Sequence, residues 1–468
     1  MRLKDVGRTF LTLFAGHGVS KATAFLSTII LARSLSHQDL ALYATLVTVL
    51  GYAQAISNWG SDAIGIRSVA SSGVGAQLAI SNVRRFRLLT GLALILIALA
   101  VCLPLRVAAG TVLPLGLCII AMAFRLDWLL LAKARPTQVG LALAAREGVF
   151  LLSALAIAAA GGSVVWVLWA LLLAEVCWAV ATIVFAFEDA PEKRSAGGLA
   201  PGYLASQGLP IVLVSILSLT NNKIDVPIMA HFRSPVEVAS YWAAYNVMFA
   251  AMAAAALFTR AALPEMSRQA GKSANDGLAS AFHFALISGS AGCLAALAIG
   301  GFAPWIMRSV YGHELAIGGA PLAILALALP AHFLSAILIG RLVAESKQHR
   351  WMLACAAAAS LNLGLNLYFI PSFGATAAAW ATVGSEWSML IGVVLAFRGR
   401  MGVRAFLLNA MWVMGCFATS ALALLEFRAH ADPLWTSALV VAATTLLFLP
   451  ALQWVPGRMR LQLAGAAA

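Results

Sequence analysis

The chain has 468 residues, of which 62% are hydrophobic and only 10% are charged. An average soluble domain carries roughly a quarter charged residues, so this composition argues against a soluble fold. The formal net charge is +13, but the basic residues recur in short groups between apolar runs, and this pattern does not indicate nucleic-acid binding.

Apolar runs of about 20 residues follow one another along the whole chain, and each is long enough to cross a hydrocarbon core of about 30 Å as a helix. Their continuous apolar character favours helices over the alternating strands of a membrane barrel. We predict an all-α membrane protein with about fourteen transmembrane helices. In chain order the predicted spans are residues 10–32, 40–60, 87–105, 111–132, 142–160, 164–187, 207–230, 241–263, 278–302, 320–344, 352–370, 374–397, 405–426 and 434–455.

The first apolar run follows three basic residues, as in a signal peptide, but His17 and Lys21 interrupt it. We interpret this run as the first span. When every second loop is assigned to one side, most of the 31 Lys and Arg residues fall on that side, including Arg84, Arg85 and Arg87. This bias predicts a multi-pass inner-membrane protein with both termini in the cytoplasm.

The most polar stretch of the chain, residues 188–202, follows the sixth predicted span and is predicted to be a cytoplasmic linker. An internal repeat flanks it, since residues 31–44 align without a gap with residues 229–242. Because six spans separate the copies, both have the same orientation, which predicts two six-helix lobes related by a pseudo-two-fold axis along the membrane normal. The predicted parts are an N-lobe at 1–187, the linker at 188–202, a C-lobe at 203–397 and a two-helix extension at 398–468.

All six cysteines lie in apolar segments, with no CxxC motif and no Cys/His cluster. The sequence therefore indicates neither a disulfide framework nor a metal site, and no cofactor is predicted.

Two segments resemble the polysaccharide-export and Wzx-type flippases. LARSLSHQDLALYA, at residues 31–44, resembles the end of their first span and the start of their second. KIDVPIMAHFRSPVEVASYW, at residues 223–242, is similar to their seventh and eighth spans. The family's usual glycine before the tyrosine is Leu42 here and Ser240 in the second copy. The resemblance extends over residues 8–397 and is specific for a superfamily that also contains lipid II flippases and multidrug exporters.

This resemblance implies a transporter and not an enzyme. The implied activity is translocation of an undecaprenyl-pyrophosphate-linked oligosaccharide across the inner membrane, by alternating access, for biosynthesis of a polysaccharide such as O-antigen or exopolysaccharide. The implied partners are the lipid-linked oligosaccharide, membrane lipids and the polysaccharide polymerase machinery, and the protein is expected to be a monomer.

Ionisable residues inside the predicted spans are candidate functional residues, because a charge at the bilayer centre costs at least about 2.5 kcal/mol. A polar face runs along the first span, and a second one runs along the seventh. A pyrophosphate needs cationic donors, and the predicted substrate-binding residues are Lys21, His17, Arg125, Lys223, Asn221 and Asn222. The candidates for coupling transport to a proton or sodium gradient are Asp127, Asp225, Glu175 and Glu386. For each charged residue, a salt bridge within a lobe is the alternative.

Several functions are alternatives to an oligosaccharide flippase. A membrane-embedded glycan-processing enzyme would need a periplasmic catalytic loop, but the longest such segment, residues 303–319, holds His313 and Glu314 without a paired carboxylate or a nucleophile. An ATP-driven exporter is excluded as a single chain because there is no GxxxxGK[ST] loop. A cation-coupled multidrug exporter of the same fold stays open, because the embedded charges are of both signs, and a lipid II flippase of that fold is a further alternative.

Overall fold

The computed structural model describes residues 3–71, 76–102, 109–187, 200–272, 274–345, 347–400, 402–428, 440–441 and 443–444. These residues are almost entirely helical and include no strand, which confirms the all-α membrane fold. Residues 188–199 of the predicted linker and nearly all of the last predicted span, 434–455, lie outside the described residues.

The described chain forms two compact units. The N-terminal unit is Gly16–Ala230, and the C-terminal unit is His231–Ala468 together with Met1–Ala15. The boundaries of the predicted lobes, which rest on the internal repeat, stay a prediction.

The helices up to the end of the N-terminal unit are α1 to α10. Two of the predicted spans, the fourth and the seventh, are helix pairs broken by a short turn, α5 with α6 and α9 with α10. The bounds are α1 Leu3–Ser34, α2 His37–Asn58, α3 Ser61–Ser71, α4 Ala76–Cys102, α5 Ala109–Ala123, α6 Asp127–Ala132, α7 Pro136–Ala160, α8 Val164–Ala186, α9 Pro201–Lys223 and α10 Asp225–Phe232.

Close backbone contacts hold α3 and α9 in this unit. Trp128 is 1% exposed and its ring lies against Gly65 of α3, where an added Cβ would lie 2.6 Å from the ring. Trp59, which ends α2, donates its indole N–H to the carbonyl of Ala205 over 3.0 Å. A Cβ at Gly208 would overlap the carbonyl oxygen of Trp59. The backbone of α9 therefore lies directly against the end of α2.

The C-terminal unit contains α11 to α16, with a π-helical turn at Met307–Tyr311 and a 3₁₀ turn at Ala316–Gly318. At 48 residues, α15 would be about 72 Å long if it were straight, more than twice the thickness of the hydrocarbon core. Gly374 breaks it, at φ 56° and ψ −134°, into two arms of span length. The bounds are α11 Pro235–Lys272, α12 Ala274–Ile306, α13 Gly319–Ala326, α14 Leu329–Ala344, α15 Gln348–Leu395 and α16 Val403–Arg428.

Nine helices of the described part are long and apolar enough to cross a membrane, and ten if the bent pair α13 and α14 forms one span. Every predicted span up to residue 426 coincides with a described helix, a helix pair or one arm of α15. The helix starts differ, however. α7 begins at Pro136 and not at 142, and α4 begins at Ala76 and not at 87. The earlier start of α4 places Arg84 and Arg85, which were assigned to a loop, in a helix.

Candidate functional site

The N-terminal unit brings two of the predicted cationic residues together. Lys21 lies on α1 with its side chain exposed, and Lys223 ends α9. The charges of Lys21 and of Asp225 both act on the Lys223 ammonium group, so the three groups form one electrostatic cluster. We call Lys21, Lys223 and Asp225 the lysine site.

The break between α9 and α10 positions Asp225. Its side chain is buried, and Oδ1 accepts the backbone N–H of Val226 over 2.9 Å at the start of α10. A carboxylate is favoured there because the helix dipole is positive at the N-terminus. One turn earlier on α9, Thr220 accepts a hydrogen bond of 3.2 Å from the Tyr52 hydroxyl of α2.

The other polar residues predicted on these helices have separate environments. Asn221 is buried at 3% exposure, whereas Asn222 donates its side-chain amide to the Ser218 carbonyl over 2.7 Å within its own helix. The backbone of His17 lies in α1, but its side chain lies outside the described residues.

A second cluster of the N-terminal unit joins α5 through α8. The Arg125 guanidinium carbon lies 3.2 Å from the ring centroid of Trp178. Arg125 also lies 3.2 Å from Asp127 Oδ2 and 3.7 Å from Glu175 Oε2. Because both carboxylates pair with it, Arg125 is held by the protein itself, and its predicted contact with a substrate stays a prediction.

Arg146 of α7 contacts the opposite side of the same carboxylate. Its Nε and Nη2 donate to Glu175 Oε1 over 3.1 and 2.9 Å, and Nη1 donates to the neighbouring Glu147. Its guanidinium carbon lies 5.5 Å from the Trp178 ring centroid. We call Arg125, Asp127, Arg146, Glu147, Glu175 and Trp178 the guanidinium cluster, which has two cationic and three acidic side chains.

Arg146 and Glu147 were not among the predicted site residues, although both fall within the predicted span 142–160, because they lie close to its start. A signal was present, however. Arg146 lies 15 residues before the turn glycine Gly161, and Glu175 lies 14 residues after it. At 1.5 Å per residue both lie about 22 Å from the turn, so two antiparallel helices bring them to the same depth.

A buried arginine was also missed on α4. Arg87 is 1% exposed and donates through Nε to Ser61 over 2.7 Å and through Nη2 to Asn58 over 2.8 Å, and it pairs with Asp62. Arg84 and Arg85 are exposed. Of the three arginines assigned to a loop, Arg87 thus connects α4 to α2 and α3.

The C-terminal unit holds the fourth predicted coupling residue. Glu386, 3% exposed, lies with its Oε2 3.0 Å from Nδ1 of His332 on α14. Glu386 lies on α15, which also carries three polar residues that bond to one another. Within the first arm of α15, Asn366 donates its side-chain amide to Asn362 over 2.8 Å. Asn362 in turn donates to Ser385 of the second arm over 3.1 Å. Among the described residues, no group of three or more His, Cys, Asp or Glu side chains could hold a metal ion.

Comparison with solved structures places this architecture among known folds. The inward-closed lipid II flippase MurJ superposes with a TM-score of 0.72 at 13% identity, over 94% of this chain and 99% of that one. The chain has the MurJ fold. An inward-facing multidrug resistance MATE family transporter of the MOP superfamily gives a TM-score of 0.65 at 14% identity, over 82% of this chain and 95% of that one. An outward-facing MATE family transporter of the MOP superfamily gives a TM-score of 0.59 at 15% identity, over 86% of this chain and 96% of that one.

The fold of these transporters thus fits the chain, whereas the Wzx-type branch is not distinguished by these structures. No protein-family model and no curated protein sequence matches the chain. At such low identity the likeness concerns the fold alone, and a shared fold does not fix the cargo.

Proposed function

We propose that the protein is a flippase that moves an undecaprenyl-pyrophosphate-linked oligosaccharide from the cytoplasmic to the periplasmic leaflet of the inner membrane, by alternating access, for polysaccharide biosynthesis. The proposal includes cytoplasmic termini and delivery of the product to a polymerase. It rests on the sequence resemblance to Wzx-type flippases and on a fold shared with a lipid II flippase.

The observation that carries the proposal is the lysine site. This cluster holds two lysines and one aspartate, and Lys21 is exposed on its helix. Ammonium groups are point donors suited to phosphate oxygens, and an anionic headgroup relieves the repulsion between two nearby lysines. A cationic cargo would add to that repulsion.

A cation-coupled multidrug exporter is the second candidate, favoured by the likeness to MATE transporters. The number of embedded charges of each sign does not distinguish an anionic cargo from a cationic one. Their arrangement favours the anionic cargo, because Asp127 and Glu175 are engaged by Arg125 and Arg146, whereas the lysine site has two lysines for one carboxylate.

We propose the acidic residues of both units as candidates for ion coupling. The guanidinium cluster has three carboxylates for two guanidinium groups, and Asp127 Oδ1 is buried without a hydrogen-bond partner among the described residues. Glu386 faces His332, with Oε2 and Nδ1 3.0 Å apart. Asp225 belongs to the lysine site and would couple ion movement directly to headgroup binding.

Deletion of the gene followed by lipid analysis tests the proposal. We expect a lipid-linked oligosaccharide to accumulate on the cytoplasmic face of the membrane, and the wild-type gene to restore export. Unchanged lipid-linked intermediates in the deletion strain, together with increased sensitivity to cationic dyes, would favour the multidrug exporter instead.

Charge reversal tests the role of the lysine site. In the deletion strain, Lys21→Glu should lower export by at least about tenfold, since a charged hydrogen bond contributes about 1.5–3 kcal/mol. Arg85→Glu is the control, because it reverses an equally exposed charge on α4. Export is measured at matched membrane levels of each variant. Wild-type export by a Lys21→Glu/Lys223→Glu protein would remove both lysines from the proposed site.

A further inference from the structure

Basic side chains converge where α14 meets α15 and where α15 meets α16, within the C-terminal unit. Glu345 lies at the centre, with Arg341 Nε at 2.8 Å, Lys347 Nζ at 2.9 Å and Arg400 Nη1 at 2.7 Å from its carboxylate oxygens. Burial raises the pKa of Glu345, but the hydrogen bonds from Lys347 and Arg400 and the nearby charges outweigh this effect and hold the pKa at about 2. Glu345 is therefore ionised and saturated with cations.

Two further arginines of this region have no such partner. Arg398 and Arg404 are exposed on either side of Arg400, and neither has a carboxylate partner within the part of the chain that the structure describes. Arg350 adds another cation and donates to the carbonyl of Ala396, which ties the start of α15 to its end. These junctions thus hold one carboxylate, Glu345, and six cations: Arg341, Lys347, Arg350, Arg398, Arg400 and Arg404.

A cavity of about 470 Å³ lies among these arginines, between the end of α15 and the start of α16. Arg398, Arg400 and Arg404 line it together with apolar side chains that include Leu395 and Leu407. Both leucines are exposed on the surface of transmembrane helices. The cavity therefore offers cationic groups at the membrane end of the helices and an apolar wall along them.

We propose that this cavity binds an anionic phospholipid of the surrounding leaflet, with its phosphate held by Arg398 and Arg404 and its acyl chains lying along Leu395 and Leu407. Basic pockets between transmembrane helices at the cytoplasmic surface are known to suit anionic lipid headgroups. Forked guanidinium groups hold a phosphate through paired hydrogen bonds. The cavity volume lies in the usual range of ligand pockets. The site is separate from the lysine site and does not depend on the proposed transport activity.

Native mass spectrometry of the purified full-length protein tests this site. The delipidated protein is titrated with phosphatidylglycerol, with phosphatidylcholine, and with phosphatidylglycerol in the presence of millimolar inorganic phosphate. We expect at least one phosphatidylglycerol to bind more tightly than phosphatidylcholine, and inorganic phosphate to leave it bound. Equal affinity for both lipids, or displacement by inorganic phosphate, would overturn the proposal.

Substitutions then locate the binding. Arg398→Gln/Arg404→Gln should weaken phosphatidylglycerol binding by about thirty-fold, since each basic residue near an anionic surface contributes about five-fold. Arg84→Gln/Arg85→Gln is the matched control, with the same change of charge at two exposed arginines of α4. We expect the control to bind within about three-fold of wild type. Equal losses in both variants would show a general charge effect and overturn the site.

A charge-retaining double variant and two single variants provide further tests of the site. Arg398→Lys/Arg404→Lys retains the charge but not the forked hydrogen bonds, so it should bind more tightly than the double Gln variant and less tightly than wild type. If the double Gln variant does not fold, Arg398→Gln and Arg404→Gln are measured singly, each with an expected loss of about five-fold. Unchanged binding in both single variants would contradict the assignment.

Discussion

The indole ring of Trp178 lies close to both arginines of the guanidinium cluster. Its ring centroid lies 3.2 Å from the Arg125 guanidinium carbon and 5.5 Å from that of Arg146. A guanidinium over an indole ring is stabilised by about 0.5–2 kcal/mol, and more strongly when water is excluded. Glu175 contacts both arginines, so this one carboxylate connects Arg125 to Arg146 of α7.

Glu175→Gln is expected to destabilise the protein by about 3–5 kcal/mol, because removal of one partner leaves buried guanidinium charge poorly compensated. Thermal unfolding of the purified protein in a neutral detergent measures this loss. Asp39→Asn is the control, since Asp39 occupies the first turn of α2 and only the helix-dipole contribution of about 0.3–1 kcal/mol is removed. A Glu175→Gln protein as stable as the control would show that the cluster is not held by this carboxylate.

For single residues, the sequence predicted which charged side chains are embedded, but it did not predict which residues they pair with. The cost of burying charge singled out Arg125, Asp127 and Glu175 from the sequence. Arg146 was not counted among the embedded charges, although its distance from the turn at Gly161 matches that of Glu175. Pairing between helices depends on depth in the membrane, which the residue types alone do not give.

The two arms of α15 depend on a single glycine. Gly374 has a positive φ that side chains disfavour, and an added Cβ would overlap Glu237 Oε1. Glu237 is needed there, since it accepts the N–H of Ala375 over 2.7 Å at the start of the second arm. Arg233 completes the turn with hydrogen bonds of 2.8 Å to Glu237 and 3.3 Å to the Pro371 carbonyl.

Gly374→Ala is expected to prevent correct folding or to lower stability by at least about 2 kcal/mol, because backbone strain and displacement of Glu237 add. Gly364→Ala is the control on the same helix, where an added Cβ meets no atom within 4 Å. The control should be neutral or more stable by up to about 1 kcal/mol. The yield of monodisperse protein and its Tm are the measurements, and equal values for the two variants would contradict this role of Gly374.

Glu345 links the α14–α15 and α15–α16 junctions, and its low pKa gives a pH dependence with a definite sign. A carboxyl with a pKa of about 2 in the folded protein, against 4.5 ordinarily, stabilises the fold fully above pH 4.5. This stabilisation is lost as the pH falls from about 4.5 towards 2. The Tm difference between wild type and Glu345→Gln should therefore narrow over that range. A difference that stays constant down to pH 3 would contradict the assignment.

At the scale of elements, hydropathy predicted the helices because each must be apolar over about 20 residues to remain in lipid. The predicted spans 352–370 and 374–397 also located the break of α15 near Gly374. Helix starts were less predictable, since a polar first turn such as that of α7 carries no hydropathy signal. Pro136, at the first position of α7, is the residue that marks its start.

The predicted topology of the whole molecule is testable by cysteine labelling. In a variant without the native cysteines, Ser195→Cys should react with a membrane-impermeant maleimide only after the membrane is opened, because the positive-inside bias places it in the cytoplasm. His313→Cys, in the predicted periplasmic segment, is the control and should react in intact cells. Reaction of Ser195→Cys in intact cells would invert the predicted orientation.

For the molecule as a whole, sequence resemblance anticipated the fold, whereas the cargo it implies stays a prediction. The same architecture is found in a lipid II flippase and in multidrug transporters. A few side chains in a binding site can change the cargo without altering the apolar pattern that specifies the helices, so the fold alone does not identify it.

The contact between Trp59 and Gly208 has a consequence for the continuity of the chain. The connection around residues 188–199 precedes α9 in sequence, yet α9 lies against the end of α2 through a backbone contact. Cleavage of a peptide bond in that connection would therefore detach no helix. A nicked protein should run as two fragments on a denaturing gel and still elute as one particle of unchanged size in detergent.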